Sequence, residues 1–234
     1  MRGYTNFMPL PLIPIVIAAL AVGAGGGVAV ASNWENIKYA LKGKKIAVLG
    51  ARAVGKTTLL KYMEKGILLE RYKQTLDKQD IERTRLKLGD LDIRLKKTDD
   101  VSGDKSAYGA WKKLFDESDL VLYIVRTDLL LNHDPFTEKR AEDDLQQIKD
   151  WIKNPNSKKQ FFIVGNHWNT DPIYKNLTPD QKGDYQDKFT ALPVVKKMTL
   201  LAGGASTVKI VLGSLATEAD ADILITTIFR QVEK

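Results

Sequence analysis

The chain has 234 residues, 44% of them hydrophobic, which suffices for one full core plus an appendage but leaves a second globular domain cramped. It contains no cysteine, so disulfides, Cys-ligated zinc and thiol nucleophiles are excluded. The formal charge of +7 is spread as lysines along the whole chain, without an Arg-rich or aromatic-interleaved basic run, which speaks against nucleic acid and for a solvated basic surface facing anionic lipid or an acidic partner.

After a short tail, residues 1–9, the run "LPLIPIVIAALAVGAGGGVAVA", Leu10 to Ala31, has the length of a bilayer-crossing helix. No charged residue occurs from Gly3 to Asn33. The run lacks the polar face of a surface-lying helix. The sequence therefore predicts a transmembrane anchor over 10–31. "AVA" at Ala29 to Ala31 keeps a cleaved leader as the alternative. Lys38, Lys42, Lys44 and Lys45 follow the span while only Arg2 precedes it, which places the remainder on the cytoplasmic side of a single-pass membrane protein. A linker, 32–43, reads as a short helix capped at Asn33 and stopped at Gly43.

From residue 44 to 234 the pattern is that of one α/β domain. "KKIAVLG" reads as a buried parallel strand and "KTTLLKYMEKG" as a helix ending at Gly66. Between them, Gly50-x-x-x-x-Gly55-Lys56-Thr57 has the spacing and the strand-to-helix context of a P-loop. Glycines let backbone amides curl toward phosphate oxygens, and the helix N-terminus adds the positive end of its dipole. Gly50, Ala53, Val54, Gly55, Lys56, Thr57 and Thr58 thus form the candidate nucleotide cradle. Lys56 lies over the terminal phosphates and the Thr57 hydroxyl is a magnesium ligand.

Downstream, "RTRLKLGDLDIRLKKTDDVSG" reads as a hairpin turning at Gly89-Asp90 and delivering Asp100 to the site. "DLVLYIV" and "KKQFFIVGN" are further buried strands, the second ending in "NHWN". "VKIVLGSLA" is the last strand. The closing helix "TEADADILITTIFRQVEK" carries the apolar spacing Ile223, Leu224, Ile228 and Val232.

On these motifs the chain resembles the Arf-type small GTPases. Asp100-Val101-Ser102-Gly103 is similar to their DxxG switch, with Trp111 following at the family's distance. With an apolar N-terminal segment, the plan is similar to that of the β-subunit of the signal recognition particle receptor. The resemblance implies a three-layer P-loop fold with a mostly parallel six-stranded sheet containing one antiparallel hairpin strand. It implies bound GTP or GDP with Mg2+, and Asp100, Thr57 and Thr75 around the metal, with Thr84 as fallback for Thr75. It places the Gly103 amide on the γ-phosphate. Asn166 braces the loop, and Ser214 and Leu215 face the guanine oxygen. The partners implied are a guanine nucleotide, the lipid bilayer through 10–31 and a cytoplasmic protein.

Four positions depart from that pattern. Asn169 stands where an aspartate accepts from guanine, and His167 replaces a lysine; Asp171, two residues on, is the substitute carboxylate if the loop bulges. Asp104 occupies the place of the glutamine that orients attacking water, beside a γ-phosphate whose charge it opposes. Arg52 replaces a loop glycine. It either obstructs hydrolysis, supplies charge in cis, or points to solvent. Lys56, Asp104 and Arg52 are the candidate catalytic groups of a slow hydrolase. The alternatives are a receptor or assembly subunit whose G-like domain holds nucleotide constitutively, and an ATP-using P-loop enzyme.

Overall fold

The structure is a computed structural model, and it describes residues 15–17, 44–65, 107–152 and 159–232. Its centre is a sheet of short apolar strands: β1 (Ile15–Ile17), β2 (Ile46–Leu49), β3 (Leu120–Arg126), β4 (Gln160–Asn166) and β5 (Val208–Leu212). The spatial order is β1-β5-β4-β3-β2, and every pairing is parallel. Continuous apolar runs suit such strands because helices cover both faces.

Alternation along each strand sorts its side chains between two cores. Ala47, Leu49, Val121, Tyr123, Val125, Phe161, Ile163, Ile210 and Leu212 belong to one cluster. That cluster is completed by α2 (Ala107–Glu117), α4 (Pro135–Trp151), α6 (Pro179–Ala191) and α7 (Pro193–Leu201). Ile46, Val48, Leu120, Leu122, Ile124, Phe162, Val164 and Val211 turn the other way, against α1 (Lys56–Lys65) and α8 (Glu218–Arg230). The result is the three-layer arrangement read from the sequence.

Local signals account for the helix boundaries. Asp134 caps α4 by accepting from the Thr137 amide at 2.9 Å, and Pro135 follows at the first helical position. Thr217 caps α8 in the same way through Asp220. Two short helices, α3 (Thr127–Leu131) after β3 and α5 (Pro172–Lys175) after β4, together with a 3-10 turn at Trp168–Thr170, shape the C-terminal edge of the sheet.

The edge of the sheet differs from expectation at one place. Of the predicted transmembrane span 10–31 only Ile15–Ile17 is described, and there the chain is extended, with Ile15, Val16 and Ile17 in register with Ile210, Val211 and Leu212 of β5. Three consecutive β-branched residues suit a pleated edge, and β5 has an open side to offer. No helix among the described residues is long and apolar enough to cross a membrane. The linker 32–43 and the hairpin expected before Asp100, with its antiparallel strand, lie outside the described residues.

A buried polar knot ties α2 to the sheet. Asp144 on α4, fully buried, accepts from Tyr108 and Tyr123 at 3.0 Å each and from Arg140 Nε at 2.7 Å. Burial raises its carboxyl above the usual carboxylate range, against the pull of Arg140 and the two phenols. Arg140 also lies over the rings of Tyr108 and Trp111. The helix that follows the DxxG segment is thereby seated on α4 and β3.

Candidate functional site

The turn from β2 to α1 has the backbone that its glycines require. Gly50 has φ +140°, and a Cβ there would stand 2.5 Å from the Ile124 carbonyl oxygen on β3. Gly55 has φ +105°, and a Cβ there would stand 2.5 Å from Asn166 Nδ2 and 3.2 Å from Leu215 Cδ1. Side chains rarely adopt either conformation, so both positions exclude substitution on two counts. Between them Ala53 takes φ 61°. Val54 is buried and anchors the loop in the α1-side core, while Arg52 and Ala53 are exposed.

Lys56 folds back over the loop. Its Nζ donates to the Gly50 carbonyl at 2.9 Å and the Ala51 carbonyl at 2.6 Å, which holds the ammonium above the cradle. Helix α1 starts at this residue, with the Leu59 amide bonded to the Gly55 carbonyl at 2.9 Å. Thr57 and Thr58 in its first turn are exposed. Asp100 and Thr75, with Thr84, lie outside the described residues, as do Gly103 and Asp104. Among the described residues no group of three or more His, Asp or Glu side chains forms a metal cluster.

Asn166 joins the cradle to the next strand. Its Nδ2 donates to the Val54 carbonyl at 2.9 Å, and its own carbonyl accepts from the buried Thr127 hydroxyl at 2.5 Å. Sequence reasoning missed Thr127. It is the first residue after β3, and its place at the C-terminal end of a parallel strand is the signal that marks it.

His167 follows in a left-handed conformation, φ 70°. Its ring makes a backbone hydrogen bond with Ala53 of the cradle, and its buried Nε2 has no partner among the described residues. Burial lowers its pKa below the ordinary histidine value, and the nearby Arg126 charge acts in the same direction, against the Asp128 charge and the Ala53 bond. It thus occupies the lysine's place as a neutral group.

A second cluster unanticipated from sequence stands beside it. Arg126 grips Asp128 with two guanidinium nitrogens, Nε at 2.9 Å, and the one proton of the Thr170 hydroxyl is shared between two acceptors, Asp128 at 2.9 Å and the His167 carbonyl at 2.8 Å. Burial pushes the Asp128 carboxyl up, but the bonds from Arg126 and Thr170 win and hold it below the usual range. This ion pair fixes the loop that carries His167 and Asn169.

The loops after β4 and β5 meet through Ser214, whose hydroxyl contacts Asn169 Oδ1 at 3.2 Å. Leu215 is buried against the cradle glycine. Asp171, the carboxylate considered as a substitute for the missing aspartate, is instead a helix cap. One of its oxygens accepts from the Ile173 and Tyr174 amides at 2.8 Å, the other from Tyr185 at 3.1 Å, and the residue is 1% exposed. Both oxygens face inward because Pro172 starts α5 directly after it and the chain turns back on the aromatic cluster of Trp168, Tyr174 and Tyr185.

A family model described as the ADP-ribosylation factor family matches residues 30–175. A search of curated protein sequences returns no match. Among solved structures the chain is similar to an ADP-ribosylation factor-like GTP-binding protein, the small COPII coat GTPase SAR1 from Encephalitozoon cuniculi in complex with GDP. The TM-score is 0.45 at 12% identity, over 87% of this chain and 86% of that one. Similarity extends to sup35 complexed with GDP, with a TM-score of 0.36 and 14% identity, over 74% of this chain and 37% of that one.

Proposed function

This chain belongs to the ADP-ribosylation factor family, and on that premise we propose that it is a GTP-binding switch of slow turnover, reporting its nucleotide state to a protein partner. The observation that carries the reading is the cradle itself: two glycines at positive φ, with Lys56 Nζ held over the loop and Asn166 bonded to Val54 behind it. Lys56 and the loop amides take the phosphates. Thr57, with Asp100 and Thr75, holds Mg2+, which neutralises phosphate charge when bound.

Slow turnover rests on Asp104, which brings charge of the wrong sign to the place of the water-orienting glutamine. Arg52, the second departure, is exposed on the loop, and its effect on hydrolysis is measured beside that of Asp104. Calorimetry of GTP with the full chain tests binding: no heat with Mg2+ present refutes the switch. Single-turnover hydrolysis by Asp104→Gln and Arg52→Gly tests the attenuation. A gain of about tenfold or more supports it, and unchanged rates in both variants refute it.

Residues 10–31 attach the switch to a lipid bilayer, supported by an apolar stretch free of charge. The pairing of Ile15–Ile17 with β5 supports the other reading, in which part of this stretch docks on the domain. Flotation of the full chain with liposomes separates the two. A chain that stays with the vesicles in high salt is anchored through the stretch; one that remains in the aqueous fraction keeps it on the sheet.

A further inference from the structure

Helix α2 is held at both ends by side chains of other elements. At its start Tyr108 donates to Asp144 Oδ1 at 3.0 Å, the oxygen that also takes Arg140 Nε, while Tyr123 of β3 holds the second oxygen of that buried carboxylate. The Arg140 guanidinium lies over Tyr108 and Trp111, whose rings meet edge to face at 5.9 Å. Between the ends, Trp111 and Phe115 are each 3% exposed, and Phe115 packs on Trp151 of α4.

At its far end a lysine from outside the helix caps it. Lys159, directly before β4, donates to the Phe115 carbonyl at 2.5 Å and to the Ser118 carbonyl, and its ammonium lies 4.8 Å from the centre of the Phe115 ring. A cation on the last carbonyls of a helix also meets the negative end of its dipole. The turn that follows is tied to two strands. The Asp119 amide donates to the Lys45 carbonyl at 2.9 Å, its carboxylate accepts the Lys45 amide at 2.8 Å, and its carbonyl accepts the Gln160 amide at 3.0 Å.

These contacts limit how far a nucleotide signal travels. A ligand shifts an element only by as much as it prefers one arrangement to another. Displacing α2 would bring two buried rings into water, take a donor from the buried Asp144 and take the helix carbonyls from Lys159, all costs set against that preference. Resting on the function proposed above, we infer that α2 is a fixed part of the domain, the same with a diphosphate or a triphosphate bound. A partner that touches its outer face, where Gly109, Ala110, Lys113 and Asp116 are exposed, meets it in one form irrespective of nucleotide.

The test is amide hydrogen exchange on the full chain with Mg2+, loaded with GDP or with a non-hydrolysable GTP analogue. The amides of Trp111 to Glu117 are expected to be protected equally in the two states, within about twofold. A larger difference, with the loop at Gly50–Thr57 protected by both nucleotides, overturns the inference and leaves the proposed switch standing. If neither nucleotide protects that loop, both are overturned. The double variant Tyr108→Phe, Lys159→Met keeps the ring and the aliphatic stem but removes both holds. Protection of α2 is expected to fall by about tenfold or more while that of Phe161–Asn166 in β4 is kept. Unchanged protection of α2 in this variant, or an equal loss in β4, also overturns the inference, since those bonds would then not be what fixes the helix.

Discussion

The two ends of the candidate site are built by different means. At the cradle, Gly50 to Thr57, the ligand-facing groups are backbone amides and one ammonium, and the side chains that matter are the absent ones of Gly50 and Gly55. At the opposite end, where the loops after β4 and β5 meet, the surface is made of side chains: His167, Asn169 and Ser214, held by the Arg126–Asp128 pair and by Thr170. The first end tolerates no change at its two glycines and keeps Lys56 and Thr57, with Arg52 as its one departure. The second can change residue by residue while the fold persists, and the departures Asn169 and His167 lie there. In the proposed site, holding the phosphates and choosing the base thus fall to separate groups of residues.

The largest expected effect breaks the comparison at the cradle. Lys56→Ala removes the ammonium together with its bonds to the Gly50 and Ala51 carbonyls, and triphosphate affinity is expected to fall by about 100-fold or more in calorimetry while the chain stays folded in a thermal melt. A comparable loss for every base is the signature of phosphate contact. Unequal losses among bases would show that the two ends are coupled.

A smaller effect is expected from Asp171→Ala. The structure makes this residue a buried cap of α5, so its loss should cost about 1–2 kcal/mol in denaturant unfolding and leave the relative affinities for GTP and ATP in place. A change in base preference without a change in stability would return Asp171 to the base-binding role read from sequence.

The smallest effect concerns His167 and pH. Its folded-state pKa lies below the ordinary value, so between that depressed value and about 6.5 the unfolded chain binds more protons, and stability rises with pH through this window. On acidification from pH 7 the contribution is lost as the ring is forced to charge beside Arg126. His167→Gln should flatten this part of the thermal stability profile, and a profile parallel to that of the unmodified chain would show that the ring titrates freely.

Much of the fold was legible in the sequence because its signals are local. "KKIAVLG", "KKQFFIVGN" and "VKIVLGSLA" each contain the strand read from them, the strand in "DLVLYIV" runs one residue beyond it to Arg126, and the helix after the P-loop ends at Lys65, directly before the predicted stop. Legibility failed where a pairing partner decided the conformation. Ile15–Ile17 sits in a run apolar enough for a membrane helix, yet in the structure it is extended and paired with β5. The sequence held the propensity of three β-branched residues but not the edge.

The candidate site divides along the same line. Sequence alone determined the cradle, because a strand, a glycine at each bend and a helix start lie within a few consecutive residues and dictate the backbone directly. It also showed that Asn169 is an amide and Asp171 a carboxylate. Only the tertiary structure decided what those groups do. Asn166 meets Val54 across 112 positions, Ser214 meets Asn169 across 45, and Thr127 meets Asn166 across 39. A hydrogen bond's direction is a property of the pair, and a carboxylate's role depends on which donors surround it. Asp171 became a cap because two amides and a phenol reached it first, and the Asn169 oxygen is engaged by the Ser214 hydroxyl from the loop after β5.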